Sequence, residues 1–354
     1  MDELERLLKK TEKRLTKEYS QATKEMRKKF LDYMRRFRIK DDLKRQAVEA
    51  GVLDKKDYIA WRQAQIYNGK RYAKMVETLA GDMHSANMLA KSTILEHMPE
   101  AYTYVKNHEM YAIDQLVNLN TSFTLYNAEA TEKLIRENPE LLPPPKPGGE
   151  TARKLAENKD LRWNRQKISS ALMQGIIQGE SVPKIARRLE SVGEMNHRAA
   201  IRNARTMHTS VQNAAKIDSG YWAKSKGVDI SYVWSAALDM RTRPAHRQLD
   251  GQRRNLGEPF EVDGEEIMYP GDPSAPGYLV YNCRCVLVRQ VKGFEYDIRD
   301  DYTDYEHING MSYEQWKKSD KVITNPITLP EEKAKAIKGA YIGEYIKLRR
   351  SLGG

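Results

Sequence analysis

The chain has 354 residues, and at about 150 residues per domain this length predicts two or three folded units rather than one core. Hydrophobic residues make up 40% and charged residues 31%, with a mean hydropathy of -0.75, so buried cores coexist with a very polar surface. No stretch approaches the roughly 18 uninterrupted apolar residues of a spanning helix, and the start MDELERLLKK has charges where a signal peptide would be apolar. These features exclude a membrane-spanning protein and predict an origin in the cytosol.

Sixty Lys and Arg against 49 Asp and Glu give a net charge of +11, which favours an acidic partner such as nucleic acid. The excess is local. Residues 1–48 hold 16 basic and 9 acidic groups, and residues 151–227 hold 15 and 6, whereas 49–150 and 228–354 are slightly acidic.

From the N-terminus, Leu4, Leu8, Leu15, Tyr19, Ala22, Met26, Phe30, Tyr33 and Phe37 recur at steps of three, four or seven, which predicts one apolar stripe on a long helix. The stripe either packs on the rest of the protein or serves as a partner-binding or coiled-coil arm. Helical segments continue over 55–137, with Gly81 and Pro99 as expected breaks and Asn138-Pro139 as a stop, so residues 1–141 are expected to be a helical N-terminal region. Residues 142–150, containing Pro143, Pro144, Pro145, Pro147, Gly148 and Gly149, read as a stiff linker with a flexible end.

Residues 151–227 form a basic helical segment: a hairpin broken at Gly179-Glu180-Ser181, with Ser181 as N-cap and Arg187/Arg188 near the second helix's C-terminus. A separate long helix from about Asn196 to Lys226 is predicted next. On it, Arg198, Arg202, Arg205, Gln212 and Lys216 share one face, and Ala200, Ala204, Met207, Val211 and Ala214 share another. Residues 228–300 change to short strands, including ISYVWSAALD, FEVDGEEIMYP with an Asp-Gly turn, and YLVYNCRCVLVRQV. Residues 301–354 read as a helical tail packing back on this region, with Ser312 and Pro330 as helix starts. The fold class is therefore α+β, mostly helical, with a small domain of short antiparallel strands.

Cys283 and Cys285 are the two cysteines, separated by one residue. On an extended strand their side chains point to one face with nearly parallel Cβ vectors, so reduced thiols are expected rather than a disulfide. Two soft ligands on one face admit a metal if His246 supplies a third, with Asp239 or Asp250 as the fourth. Three readings stand together: structural zinc, a packed and hydrogen-bonded motif of small buried thiols, and redox chemistry.

The block WSAALDMRTRPAHRQLDGQ (234–252), followed by YPGDPSAPG (269–277) and YNCRC (281–285), resembles the Mu F-like minor head morphogenesis family of tailed bacteriophages. Trp234, Asp239, Arg241, His246, Leu249, Asp250, Gly251, Pro270, Gly271, Asn282, Cys283, Arg284 and Cys285 carry the resemblance, which spans about residues 160–290 and follows a helix with Ala204-Arg205-Thr206. Many members carry a cysteine shortly before the position of His246, where this chain has Arg243 and Ala245. The resemblance implies a low-copy minor capsid protein of the virion, inside the head near the portal after assembly in the host cytoplasm. It implies binding to the portal, with scaffold and major capsid proteins as further partners, and a part in genome delivery.

Arg198, Arg202, Arg205 and Lys216, with Trp163 and Trp222 nearby in sequence, are the candidate contacts to double-stranded DNA, through phosphates and without sequence specificity. The competing reading is a solvated face or one that pairs with the acidic 49–150 region, with Arg205 and Thr206 as packing residues. No catalytic residues are assigned. A metal-dependent nuclease using Asp239, His246, Asp250 and Asp272 is one alternative, and a toxin-like effector carried in the head is another. No phosphate loop and no H-E-x-x-H pair occurs.

Overall fold

The computed structural model describes residues 3–67, 70–117, 119, 123–124, 150–178, 180–294, 312–319 and 322–323. Its helices are α1 (Glu3–Glu49), α2 (Lys55–Tyr67), α3 (Lys70–Val117), α4 (Glu150–Ile177), α5 (Val182–Ser225), α6 (Pro244–Leu249), α7 (Gly277–Val280) and α8 (Tyr313–Lys317). Its strands are β1 (Phe123–Thr124), β2 (Ile230–Ser235), β3 (Arg253–Asn255), β4 (Phe260–Val262), β5 (Glu265–Ile267), β6 (Val286–Val291) and β7 (Val322–Ile323). No helix among the described residues is long and apolar enough to cross a membrane. The predicted linker, apart from Glu150, and the helix start at Pro330 lie outside the described residues.

The chain divides into two compact units, each gathered from separate stretches of sequence. One comprises Glu12–Thr93, Gly148–Ile201 and Ala340–Gly354, and its described part is all helical. The predicted stripe is its centre: Leu15, Met26 and Phe30 have no exposed surface, and Tyr19 donates its hydroxyl to Asn87 Oδ1 at 2.6 Å. On the polar flanks Lys29 pairs with Asp82 and Arg27 with Glu190. The helix runs to Glu49, beyond the Phe37 at which the predicted stripe ends.

Two expected interruptions in this unit are absent. Gly81 sits inside α3, where buried Leu79, Ala80 and Met83 outweigh the roughly 1 kcal/mol that an interior glycine costs a helix. The hairpin break before α5 is present, since α4 stops at Ile177 and Pro183 stands in the first turn of α5. The second break, between Val192 and Asn196, is not: α5 is one helix of 44 residues. Gly193 owes its presence to packing, because a Cβ there would overlap the side chain of Thr23 on α1. Arg188 consequently lies well inside α5, not near its C-terminus, and binds the buried Glu180 carboxylate through Nε at 2.6 Å and Nη2 at 2.8 Å. That ion pair, with Lys184 beside it, pulls the Glu180 carboxyl down to about 2.

The other unit comprises Met1–Thr11, Ile94–Pro147 and Arg202–Gly339 and holds the strands. Its main sheet has the order β3-β2-β6, antiparallel throughout, with Tyr232 opposite Arg254 and Trp234 opposite Leu287. The predicted Asp-Gly hairpin is formed by β4 and β5, with Asp263 and Gly264 both at positive φ as a tight turn of this kind requires. Helix α3 passes through Pro99 unbroken; Met98, Ala101, Tyr102 and Val105 around it are all buried, and this packing outweighs the roughly 3 kcal/mol a proline costs inside a helix.

The core of this unit runs from α3 through α5 to the sheet and the 269–285 loops, with Trp234, Leu249, Leu279 and Leu287 fully buried. Helix α5 approaches β2 closely at Gly220, where a Cβ would strike the Tyr232 ring. Ser312 caps α8 with a complete capping box to Gln315. The described tail residues 312–319 rest on α3: Trp316 is buried and donates from Nε1 to Asp114 at 2.9 Å, edge-on to Tyr111.

Candidate functional site

The family-motif residues converge on the stretch of α5 around Thr206–Asn213. Thr206, Thr209 and Asn213, one helical turn apart, all reach the 281–287 segment. Asn282 donates its N–H to Thr206 Oγ1 at 2.8 Å, and Thr209 donates its hydroxyl to the Cys283 carbonyl at 2.8 Å. Asn213 has no exposed surface and ties three segments together. Its amide donates to the carbonyls of Thr209, Pro270 and Cys285, while its oxygen accepts from the N–H of Leu287. A buried side chain that satisfies four backbone groups is costly to replace. Sequence reasoning missed Asn213; the available signal was a lone amide beside Val211, Ala214 and Ala215 on an apolar helix face.

The strand predicted over 278–291 begins only at Val286. Residues 277–280 form the short α7, and the Asn-Cys-Arg-Cys run is a loop with Asn282 at φ 55°. Both thiols nevertheless reach the buried His246 on α6, whose Nδ1 is 3.2 Å from Cys285 Sγ and 3.6 Å from Cys283 Sγ. Both cysteines are reduced and buried, and the Trp234 ring stands edge-on to the imidazole. The Cys283 thiol, hydrogen-bonded to Cys285 and buried, is pushed up. The Cys285 thiol is drawn down, first by the Cys283 hydrogen bond and, against the cost of burial, by His246.

Among the described residues, His246, Cys283 and Cys285 are the one group of three or more His, Cys, Asp or Glu side chains close enough to share a metal ion. No carboxylate joins them. Asp239, expected as the fourth ligand, is held elsewhere because Arg284 takes both its oxygens at 2.6 Å; the Arg241 N–H and the Thr242 hydroxyl also bind it. Arg284, foremost among these partners, holds the Asp239 carboxyl far below the usual carboxylate range. Asp250 accepts the Ala236 N–H at 2.8 Å, and the buried Asp272 accepts from Met268 N, Ser274 N and Ser274 Oγ. The carboxylates of the nuclease reading are thus turn and loop anchors.

The other edge of the imidazole is also engaged. Arg243 places Nη2 3.2 Å from His246 Nε2 and donates from Nη1 to the Tyr281 carbonyl. Zinc bound through Nδ1 would require a proton on Nε2, setting two donors against each other. With a neutral imidazole the hydrogen-bond network assigns the opposite tautomer: Nε2 accepts from Arg243 and the Nδ1 proton points at the sulfurs. Among the described residues no fourth ligand joins His246, Cys283 and Cys285.

The expected cationic stripe is shorter than its sequence. Arg202 and Arg205 are exposed, and Arg198 is exposed beside Glu194. Lys216 instead faces inward, 5% exposed, donating to the Leu287 carbonyl at 2.8 Å and lying 3.9 Å from Glu109. Trp222 packs against the core of its unit.

Residues 166–288 match the family described as "Phage Mu protein F like protein". Similarity to a minor head protein extends further, with 28% identity over 279 residues to "Minor head protein GP7" of Bacillus phage SPP1, covering 71% of this chain and 85% of that protein. The chain is also 27% identical over 206 residues to "NAD(+)--arginine ADP-ribosyltransferase EFV" of Enterococcus faecalis, covering 58% of this chain but 40% of the relative. A protein of Haemophilus influenzae is 31% identical over 123 residues, 34% of this chain and 24% of its own length. No solved structure matches.

Proposed function

We propose that this is a minor head protein of a tailed bacteriophage that works by binding. It docks on other head components during assembly, the portal foremost with scaffold and major capsid proteins beside it, and sits inside the head. The similarity spanning 85% of the SPP1 minor head protein carries this reading. Exposed Arg202 and Arg205, and separately Arg198, touch packaged DNA through phosphates, and the protein takes part in genome delivery. The His246–Cys283–Cys285 cluster is a structural brace: the sulfurs and imidazole hold the 281–285 loop against α6, and Arg243 fixes the ring from its far edge.

The transferase relative favours a second reading, in which this chain itself modifies arginine using NAD+; the chain spans 40% of that relative. One sample tests both. Full-length protein purified without a metal-binding tag is titrated with duplex DNA across a salt series, assayed for metal by mass spectrometry, and incubated with NAD+. The expected result is salt-sensitive DNA binding whose log–log slope falls by about one for each of Arg202→Ala and Arg205→Ala, with no stoichiometric zinc and no nicotinamide release. An unchanged slope in the double variant overturns the DNA contact. About one zinc per chain, lost in Cys283→Ser, overturns the brace. Nicotinamide release abolishes the non-catalytic reading.

A further inference from the structure

The loop 238–243 is held from beneath by three guanidinium groups. Arg284 grips the Asp239 carboxylate, Arg247 donates to the carbonyls of Asp239 and Thr242, and Arg243 donates to that of Tyr281. Leu238 is kept at φ 38°, in the left-handed region that leucine avoids, so the surrounding contacts impose the shape. This shape presents apolar groups to solvent. Met240, at the tip, is 97% exposed, the most exposed large hydrophobic side chain among the described residues; Leu238 is 48% exposed and Tyr281 61%.

A single exposed apolar residue needs no explanation. Here Leu238 and Met240 share one loop that Arg243 ties to the Tyr281 carbonyl, and the loop's conformation is fixed before any partner arrives. Such preorganisation reduces the entropy cost of association. The charge pattern distinguishes a protein from nucleic acid. Arg247 and Arg284 are committed to the loop itself and Arg243 to Tyr281 and His246, while Arg241, its side chain 78% exposed and 3.5 Å from the Asp239 carboxylate that Arg284 already holds, is the outward cation next to Met240 in sequence. One cation next to a protruding thioether suits a pocket with an apolar floor and a carboxylate at its rim better than a run of phosphates.

We infer that the 238–243 loop is a docking knob for another protein of the phage head, Met240 entering an apolar pocket and Arg241 meeting an acidic group at its edge. The inference rests on the head-protein reading. It is tested by competition: wild-type chain and Met240→Glu are co-expressed at equal levels in cells producing the phage, and the two forms are counted by their peptides in purified heads and in the unassembled fraction. The ratio of variant to wild type in heads should fall at least about tenfold below that in the unassembled fraction, as for loss of an interface anchor, with a smaller fall for Arg241→Glu. Val52→Glu, changing a side chain 82% exposed in the α1–α2 turn, serves as control and should enter at parity. The Met240→Glu protein should melt at the wild-type temperature and bind duplex DNA as wild type does. Entry of Met240→Glu at parity overturns the knob, as does loss of DNA affinity with unchanged entry, which would make the loop a nucleic-acid contact. Exclusion of both forms from heads rejects the head-protein reading, and the knob with it.

Discussion

Replacing Glu109 by glutamine is expected to lower the unfolding free energy by about 3–5 kcal/mol, the usual cost of breaking a buried ion pair. Glu109 on α3 accepts from Arg289 Nη1 on β6 at 2.6 Å, and Lys216 on α5 lies 3.9 Å away; all three are nearly inaccessible to solvent. Glutamine keeps the shape but removes a negative charge from beside two buried cations, and this asymmetry makes the loss large. Burial pushes the Glu109 carboxyl up, while Arg289 and then Lys216 more than offset that, leaving it below the carboxylate's ordinary 4.5. Because the folded value is the depressed one, the stabilisation is fully present above the unfolded value and is lost as the pH falls through the folded one. Urea unfolding of wild type and variant should therefore differ most at neutral pH and converge under acid. Lys9→Ala, which removes an exposed pair with Glu5 on α1, should change the unfolding free energy by no more than about 0.5 kcal/mol.

Gly271→Ala is the second large effect, and Gly251→Ala is its internal reference. Both glycines belong to the family motifs and both have positive φ, 85° and 78°. A Cβ at Gly251 would meet nothing within 4 Å, whereas one at Gly271 would sit 2.8 Å from Ser210 N and 2.9 Å from Ser210 Cα. Gly251→Ala should cost only the left-handed strain, about 1–2 kcal/mol. Gly271→Ala adds an overlap with helix backbone that no rotamer relieves, bringing the total to about 3 kcal/mol or more. Moving α5 away at Ser210 also stretches the bonds of Asn213 to Pro270, Cys285 and Leu287. Urea midpoints of the two variants measured side by side separate strain from contact.

Local chemistry was legible in the sequence where a signal and its consequence lie close together. The apolar stripe of α1, the Asp263-Gly264 turn, the Ser312 cap and the convergence of His246 with the two thiols all follow from spacing or residue type. The thiols converge from a loop and not from a strand, so that expectation reached the right neighbours through the wrong backbone. What was not legible depends on partners distant in the chain. Lys216 looked like the end of a cationic stripe; its burial follows from Glu109 and from the Leu287 carbonyl, and Glu109 is matched to Arg289 across 180 residues. Gly81 and Pro99 read as helix breaks because glycine and proline weaken isolated helices, yet both lie inside α3, carried by the surrounding core. Asp239 looked like a ligand until Arg284 was placed against it.

The most direct test of the account is quantitative mass spectrometry of heads purified through a gradient after nuclease treatment. The account predicts this chain in the heads, at far fewer copies than the main shell subunit and retained when external DNA has been removed. Its absence from heads, with all of it in the unassembled fraction, would contradict a minor head protein and return the transferase relative to the front of the argument.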